Sequence, residues 1–164
     1  DLGVILLVLG AAQIVGALSG ANDYLRPLAR FGAATPAAAI ERHDFRKIAD
    51  SAELDAQIAQ AGAAGKTVLF DFYADWCVEC KRMERYTFPE SPVQEALNDV
   101  VMLKIDVTAQ TPADVELQQR FGIIGPPATL FFRNGEELRQ LRLVGHEEPV
   151  PFAARIVAAK STAP

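Results

Sequence analysis

Hydrophobic and polar positions divide the chain into an uninterrupted apolar stretch, an irregular stretch and a long region of alternating elements. Residues 2–21 carry no charge, and about 20 apolar residues suffice for a helix to cross a bilayer. Residues 22–41 are rich in Ala, Pro and Gly and have no sustained period. We therefore predict a transmembrane helix over 1–21, a linker over 22–41 and one folded domain over 42–164.

Two other interpretations of the apolar stretch are weaker. A signal peptide normally begins with a basic region, and Asp1 does not provide one. A buried soluble helix would leave a polar face, whereas this stretch has one amide, Gln13, and apolar residues on every face. Because the chain begins with Asp, we expect it to be a fragment of a longer protein whose last membrane span is residues 2–21.

The region after the linker has the pattern of an α/β domain. Apolar runs at 66–73, 100–107 and 128–133 predict buried strands, and 43–48 predicts a short edge strand. Asn134-Gly135 predicts a hairpin turn into a returning strand over 137–144. Cap signals and composition predict helices over 50–61, 77–86, 91–97, 111–121 and 148–160. This order predicts a mixed sheet flanked by helices.

Net charge and cysteine content exclude two classes of protein. The formal net charge is −5 without a basic stripe, which argues against a nucleic-acid partner. The 2 cysteines are too few for a disulfide-stapled scaffold, and a domain of this length does not need one.

Cys77 and Cys80 carry the most specific chemical signal in the chain. They follow the predicted strand over 66–73 and open the predicted helix over 77–86. A helix N-terminus favours a thiolate, so we expect Cys77 to be an exposed nucleophile and Cys80 to resolve its mixed disulfides. A buried structural pair is the alternative. Zinc needs about four ligands, and only the isolated His43 and His146 could join the cysteines, so we predict no metal site.

Two carboxylates are placed to act on this pair. Asp71 lies within an apolar strand, and burial there would raise its pKa unless it faces solvent at the strand end. Glu84 follows Cys80 by one helical turn and either faces the same side or is a solvated helix charge. Together they would oppose a negative sulfur and raise the pKa of Cys77, against the pull of the helix N-terminus.

The segments 71–77 (DFYADWC) and 125–130 (GPPATL), in this order of elements, resemble the thioredoxin family over roughly residues 45–159. Segments 73–81 and 84–88 are more closely similar to the C-terminal, thioredoxin-like domain of the DsbD family of thiol:disulfide interchange proteins. A hydrophobic span just before the domain also fits that family.

The resemblance implies roles for individual residues. Asp71 matches the buried acid that assists proton transfer at the second cysteine, and an acid at the position of Glu84 also lies near the cysteines. Pro127 matches the family's cis-proline beside the Cys-x-x-Cys loop. Pro126 before it lacks the N–H that usually helps to hold a partner strand, and the alternative for both prolines is a rigid loop. We expect Trp76 to face the surface beside Cys77 and contact partners.

The resemblance also implies a cellular setting and a reaction. The domain would be a membrane-tethered protein-disulfide reductase, with the Cys77–Cys80 disulfide in place of any cofactor. It would lie in the bacterial periplasm at the inner membrane, passing electrons from the family's transmembrane cysteine pair to its N-terminal domain, and thence toward disulfide isomerases and cytochrome c maturation. Arg26 and Arg30 instead favour a cytoplasmic side, and we follow the longer motif match. Alternatives are a stand-alone anchored thioredoxin-like protein for cytochrome c maturation and a binding domain without turnover.

Overall fold

The computed structural model describes Gly3 and residues 44–162. Apart from Gly3, the predicted transmembrane helix and linker lie outside these residues, so the three predicted segments remain predictions. Among the described residues, no helix combines the length and the apolar character that a membrane span requires.

A single mixed sheet organises the described residues, and its central strand is the one that leads to the cysteines. The strand order is β1-β3-β2-β4-β5, with β6 also paired to β4. The first three strands run parallel, whereas β4 is antiparallel to β2, β5 and β6. The predicted mixed sheet is therefore confirmed. The strands are β1 (Arg46–Lys47), β2 (Thr67–Tyr73), β3 (Val100–Asp106), β4 (Ala128–Arg133), β5 (Glu136–Glu137) and β6 (Leu143–Val144).

Five α-helices flank this sheet among the described residues, and most begin where the sequence signals them. Asp50 caps the first helix by accepting a hydrogen bond from the Glu53 N–H, and Thr111 forms a capping box with Asp114. At the third helix, Ser91 before Pro92 predicts an N-cap at Ser91, but Glu90 occupies the N-cap instead. The helices are α1 (Ser51–Ala63), α2 (Val78–Arg82), α3 (Ser91–Ala96), α4 (Pro112–Phe121) and α5 (Pro149–Ser161).

The predicted helix over 77–86 changes about halfway from α-helical to π-helical hydrogen bonding. After α2 it continues as a π-helix over Met83–Thr87, which the sequence did not indicate. Single π-helical turns are frequent at functional sites, and this one carries Glu84.

Apolar residues cover both faces of β2, which explains its nearly continuous hydrophobic run. Phe70 and Phe72 belong to the core cluster that includes residues of α1 and α4. Leu69 belongs to a second cluster with residues of α3 and α5. Since side chains alternate along a strand, Asp71 shares the face of Leu69.

The prediction of one continuous strand over 137–144 is wrong. The chain forms β5, a 3₁₀ turn over Arg139–Leu141 and then β6. Leu138 and Leu143 are both buried in the second core cluster although an odd number of positions separates them. A straight strand would point them to opposite faces, and the turn brings both to the core.

Candidate functional site

The connection from β2 to α2 places Cys77 at the start of a helix. The Cys77 N–H donates to the Ala74 carbonyl at 3.0 Å. The preceding Asp75 is held in turn, because its N–H donates to the Thr108 hydroxyl at 2.8 Å. Thr108 follows β3, so two parallel strands fix the loop that presents the cysteines.

Cys77 and Cys80 form a disulfide, with their Cα atoms 5.3 Å apart. Cys77 is the N-cap of α2, and its sulfur accepts a hydrogen bond from the Cys80 N–H at 3.0 Å. After reduction, this N–H and the helix dipole would stabilise a thiolate on Cys77. The Cys80 sulfur lies 4.0 Å from the Phe72 carbonyl oxygen, at the end of β2.

The expectation that Cys77 is exposed is wrong for this oxidised state. Cys77 retains 5% of its accessible surface and Cys80 retains 2%. Both belong to the core cluster that contains Phe72 and Ala74, because the capping geometry turns the sulfur toward the helix rather than outward. The neighbouring Trp76 and Val78 are 58% and 71% exposed, so apolar side chains contribute to the surface beside the disulfide.

Asp71 is buried, as the sequence predicted. One carboxylate oxygen accepts a hydrogen bond from the Thr129 hydroxyl at 3.1 Å, across the β2–β4 pair. Burial raises the pKa of Asp71 from 3.8 to about 7, while Lys104 and the Thr129 hydrogen bond oppose this rise and Glu84 adds to it. Asp71 immediately precedes Phe72, whose carbonyl contacts Cys80, so a group that exchanges protons near neutral pH lies one residue along β2 from that contact.

Glu84 is ion-paired rather than simply solvated. Its carboxylate lies 2.6 Å from the Lys104 ammonium, and its side chain is 41% exposed. Lys104 is the functional candidate that the sequence interpretation missed. The signal was a single cation in the apolar run over 100–107. Its partners became visible only with the parallel register that sets Lys104 beside Asp71.

The predicted cis peptide bond is present between Pro126 and Pro127. Ala128, which follows, pairs with Phe72, so Pro127 lies at the sheet edge from which the cysteine loop departs. Ile124 in the same connection is fully exposed. The sequence singled out Trp76, Pro126 and Pro127 but missed Ile124 and Val78.

The structure also describes Glu79 and the side chains that could bind a metal ion. Glu79, between the cysteines, pairs with Arg82 at 2.9 Å within α2. Within residues 44–162, no group of three or more His, Cys, Asp or Glu side chains is arranged to hold a metal ion.

This fold, with a disulfide in the first turn of a helix that follows the central strand, defines a thioredoxin-like protein. The family model described as "Thioredoxin-like" matches residues 49–134. The C-terminal domain of DsbD from Neisseria meningitidis, solved in the oxidised form, is 34% identical with a TM-score of 0.58; the match covers 66% of this chain and 95% of that domain. The chain belongs to the thioredoxin-like family and, within it, to the C-terminal domains of the thiol:disulfide interchange protein DsbD.

Longer relatives agree with this assignment. The thiol:disulfide interchange protein DsbD of Ralstonia nicotianae is 42% identical over 163 residues, which cover 98% of this chain and 27% of the relative. DsbD 2 of Pseudomonas aeruginosa is 42% identical over 157 residues, covering 93% of this chain and 27% of the relative. The chain thus spans about a quarter of the length of these curated relatives.

Proposed function

We propose that this chain is a protein-disulfide reductase domain that uses Cys77 and Cys80 as its redox-active pair and needs no cofactor. The observation that carries the proposal is the disulfide at the N-terminus of α2, where the Cys80 N–H donates to the Cys77 sulfur. A thiolate on Cys77 attacks a partner disulfide and forms a mixed disulfide. Cys80 then attacks Cys77, the partner leaves reduced by two electrons, and the Cys77–Cys80 disulfide forms.

The carboxylates act on the same pair in different ways. Asp71 is the candidate proton acceptor for Cys80, since it is buried in β2 directly before the residue whose carbonyl contacts Cys80 and has a pKa of about 7. Glu84 is ion-paired with Lys104, so it affects the cysteines through its electrostatic field rather than by direct proton transfer. The hypothesis that these acids restrain Cys77 until a partner docks is tested by the rate of Cys77 alkylation against pH, and an inflection well below neutrality would contradict it.

Partners dock, in this proposal, on the apolar surface around the disulfide, which comprises Trp76, Val78, Ile124, Pro126 and Pro127. Trp76, Val78 and Ile124 are exposed and Pro126 and Pro127 are half-buried, so these five residues offer contact area without charge. Pro126 has no N–H, so a partner segment aligned beside it binds through the Pro126 carbonyl and through side chains.

The family assignment supports a cellular setting. The domain would receive electrons from a transmembrane cysteine pair and pass them to disulfides of periplasmic partners, among them an N-terminal domain of the same protein. Residues 2–21 would anchor it in the bacterial inner membrane. A stand-alone anchored protein for cytochrome c maturation is distinguished by the number of membrane spans in the full gene product.

The test is reduction of insulin disulfides by the 164-residue chain with dithiothreitol as electron source. We expect turnover with the natural sequence and none with Cys77→Ser. Cys80→Ala, reduced first and mixed with the substrate after dithiothreitol has been removed, should form a stable mixed disulfide between Cys77 and the substrate. Activity that survives Cys77→Ser would contradict the assignment. Binding of a partner without turnover by the natural sequence would instead favour the non-catalytic alternative.

A further inference from the structure

Residues 145–147, which we call the bridging loop, connect β6 to the N-cap of α5 and contact the edge that carries the cis proline. The loop begins where β6 ends, and Val144 of β6 pairs with Ala128, the residue directly after the cis bond. The Gly145 N–H donates to the Pro127 carbonyl at 3.0 Å. Gly145 has a φ of 103°, which glycine adopts readily. The bridging loop therefore holds a polar group of the proline at the edge from which the cysteine loop departs.

The other side of the bridging loop is held by the π-helix that continues the cysteine helix α2. Thr87 is the last residue of this π-helix, and its side chain is buried. Its hydroxyl donates to the Glu147 carbonyl at 2.7 Å. The Glu147 N–H donates to the sulfur of Met83, the first residue of the π-helix, at 3.5 Å. Both backbone groups of Glu147 are thus bound to the π-helix, one at each of its ends.

The Thr87 hydroxyl serves the bridging loop rather than its own helix. A threonine within a helix often bonds back to a carbonyl one turn earlier, whereas this hydroxyl donates out of the helix. Its oxygen also lies 3.4 Å from the Nε2 atom of His146. Because the hydroxyl proton goes to the Glu147 carbonyl, the Thr87 oxygen is the acceptor in this second contact and Nε2 is the donor. One hydroxyl therefore binds two consecutive residues of the bridging loop.

A third contact holds the bridging loop from α5. The Glu147 carboxylate accepts two hydrogen bonds from the Arg155 guanidinium, at 2.6 and 2.9 Å. Arg155 also donates to the Leu141 carbonyl at 3.1 Å. This ion pair fixes the side chain of Glu147, whereas Thr87 fixes its backbone. The backbone contact is the one that reaches the segment of the cysteines, since α2 runs directly into the π-helix.

We propose that Thr87 is a positioning residue for partner docking: through Glu147 its hydroxyl fixes the bridging loop, and the loop holds the Pro127 carbonyl in place relative to the cysteine helix. This inference rests on the proposed function and adds to it a residue that governs how protein substrates bind. A partner segment aligned along Pro126 and Pro127 must stay docked while its sulfur reaches Cys77, so the edge and the helix need a fixed spacing. A small disulfide has no such segment and makes no demand on this spacing.

The test compares Thr87→Val with Thr87→Ser in the 164-residue chain. Valine keeps the shape of threonine and lacks the hydroxyl, whereas serine keeps the hydroxyl. Initial rates of insulin reduction are measured over a range of insulin concentrations with dithiothreitol in excess. We expect the KM for insulin to rise about fivefold in Thr87→Val, the factor that corresponds to one hydrogen bond of typical net strength, and to rise more than kcat falls. Thr87→Ser should retain the KM of the natural sequence.

The Gly145 amide proton reports on the bridging loop without any substrate. Its hydrogen exchange, followed by NMR in the oxidised chain, should accelerate about fivefold in Thr87→Val relative to the amide protons of β2. A global loss of stability would instead accelerate both. The matched control is Ile58→Val, which shortens a buried side chain of α1 in the core cluster of Phe70. It should change neither the KM nor the ratio of exchange rates.

Glu147→Gln provides a second variant in case Thr87→Val does not fold. It weakens the ion pair with Arg155 and leaves Thr87 in place. Because it loosens the same loop from the side of α5, the KM for insulin should rise in this variant as well, and the Gly145 amide proton should exchange faster relative to β2.

Three results would overturn the role of Thr87. These are an unchanged KM in Thr87→Val, an equal rise of KM in Thr87→Val and Thr87→Ser, and a rise of KM without faster exchange of the Gly145 amide proton relative to β2. Absence of insulin turnover by the natural sequence would reject the reductase proposal, and the docking role with it. Turnover with an unchanged KM in Thr87→Val would reject the docking role alone.

Discussion

At the scale of single residues, Asp71 destabilises the fold when it ionises, and the same burial suits it to proton transfer at the site. Among Leu69, Phe70 and Phe72, its ionised form has lost water and regained only the Thr129 hydroxyl and the Lys104 charge. The carboxyl therefore keeps its proton to about pH 7 in the folded protein. A group that exchanges a proton near neutrality is suited to general acid–base work.

Because burial penalises the ionised form of Asp71, the stability of the domain should depend on pH. Asp71→Asn should remove that dependence. The unfolded chain loses the Asp71 proton near pH 3.8, whereas the folded chain keeps it until about pH 7. Between these values the folded state binds more protons, so the free energy of unfolding falls as pH rises. Urea unfolding of the oxidised chain measures this free energy. From about pH 4 to pH 8, the free energy of unfolding of Asp71→Asn should rise relative to that of the natural sequence by up to roughly 4 kcal/mol.

The matched control for that measurement is Glu95→Gln, which removes an exposed carboxylate from α3. Its stability should follow the pH dependence of the natural sequence. If Asp71→Asn also followed it, Asp71 would have an ordinary pKa and could not serve as the proton acceptor.

At the scale of elements, α1 approaches the β4–β5 hairpin so closely that a side chain at Gly62 would crowd the hairpin backbone. A Cβ atom at Gly62 would lie 3.0 Å from the Gly135 nitrogen and 3.2 Å from the Asn134 carbonyl carbon. Asn134 and Gly135 both have positive φ, as the tight hairpin turn requires. The last turn of α1 and this turn are therefore fitted to each other through their backbones.

Gly62→Ala is expected to destabilise the domain although alanine favours helices. Helix propensity alone would stabilise by about 0.5–1 kcal/mol. The contact with the hairpin backbone must be relieved by moving an element, and overpacking of this kind costs about 1–3 kcal/mol. Thermal unfolding of Gly62→Ala should show a lower midpoint than that of the natural sequence. The control is Ala59→Gly at an exposed position of α1, which measures the effect of helix propensity alone. A more stable Gly62→Ala variant would show that the hairpin yields easily.

At the scale of the whole molecule, the site exists only because the sheet brings distant segments to one edge. The carboxyl end of β2 leads to Trp76 and the cysteines, and the antiparallel β4 begins beside it after Ile124 and the cis Pro126–Pro127 bond. The π-helix and β3 add Glu84 and Lys104 from two further segments. The buried disulfide and the exposed apolar side chains around it suit a large partner better than a small molecule.

Trp76→Ala should therefore separate protein substrates from small ones. Tryptophan is enriched among the few interface side chains whose truncation costs more than about 1 kcal/mol. We expect kcat/KM for insulin to fall about tenfold, because 1.4 kcal/mol corresponds to a factor of ten. The rate of Cys77 with a small aromatic disulfide should change little. Val157→Ala, which shortens an exposed apolar side chain on α5, is the control; an equal loss on both substrates would place Trp76 in the chemistry rather than in docking.

The sequence by itself determined most of the elements, the cysteine pair and the acid in the central strand. These features depend on local signals: apolar periodicity, the caps at Asp50 and Thr111, the Asn134-Gly135 turn and the Cys-x-x-Cys spacing. The tertiary structure alone decided which side chains meet. The Asp71–Lys104 pairing follows from strand register, the burial of Cys77 from its capping geometry, and the break in the predicted strand over 137–144 from the need to bury both Leu138 and Leu143. The strand register and the burial of both leucines depend on contacts between distant segments, and local patterns do not specify such contacts, because tertiary packing settles them.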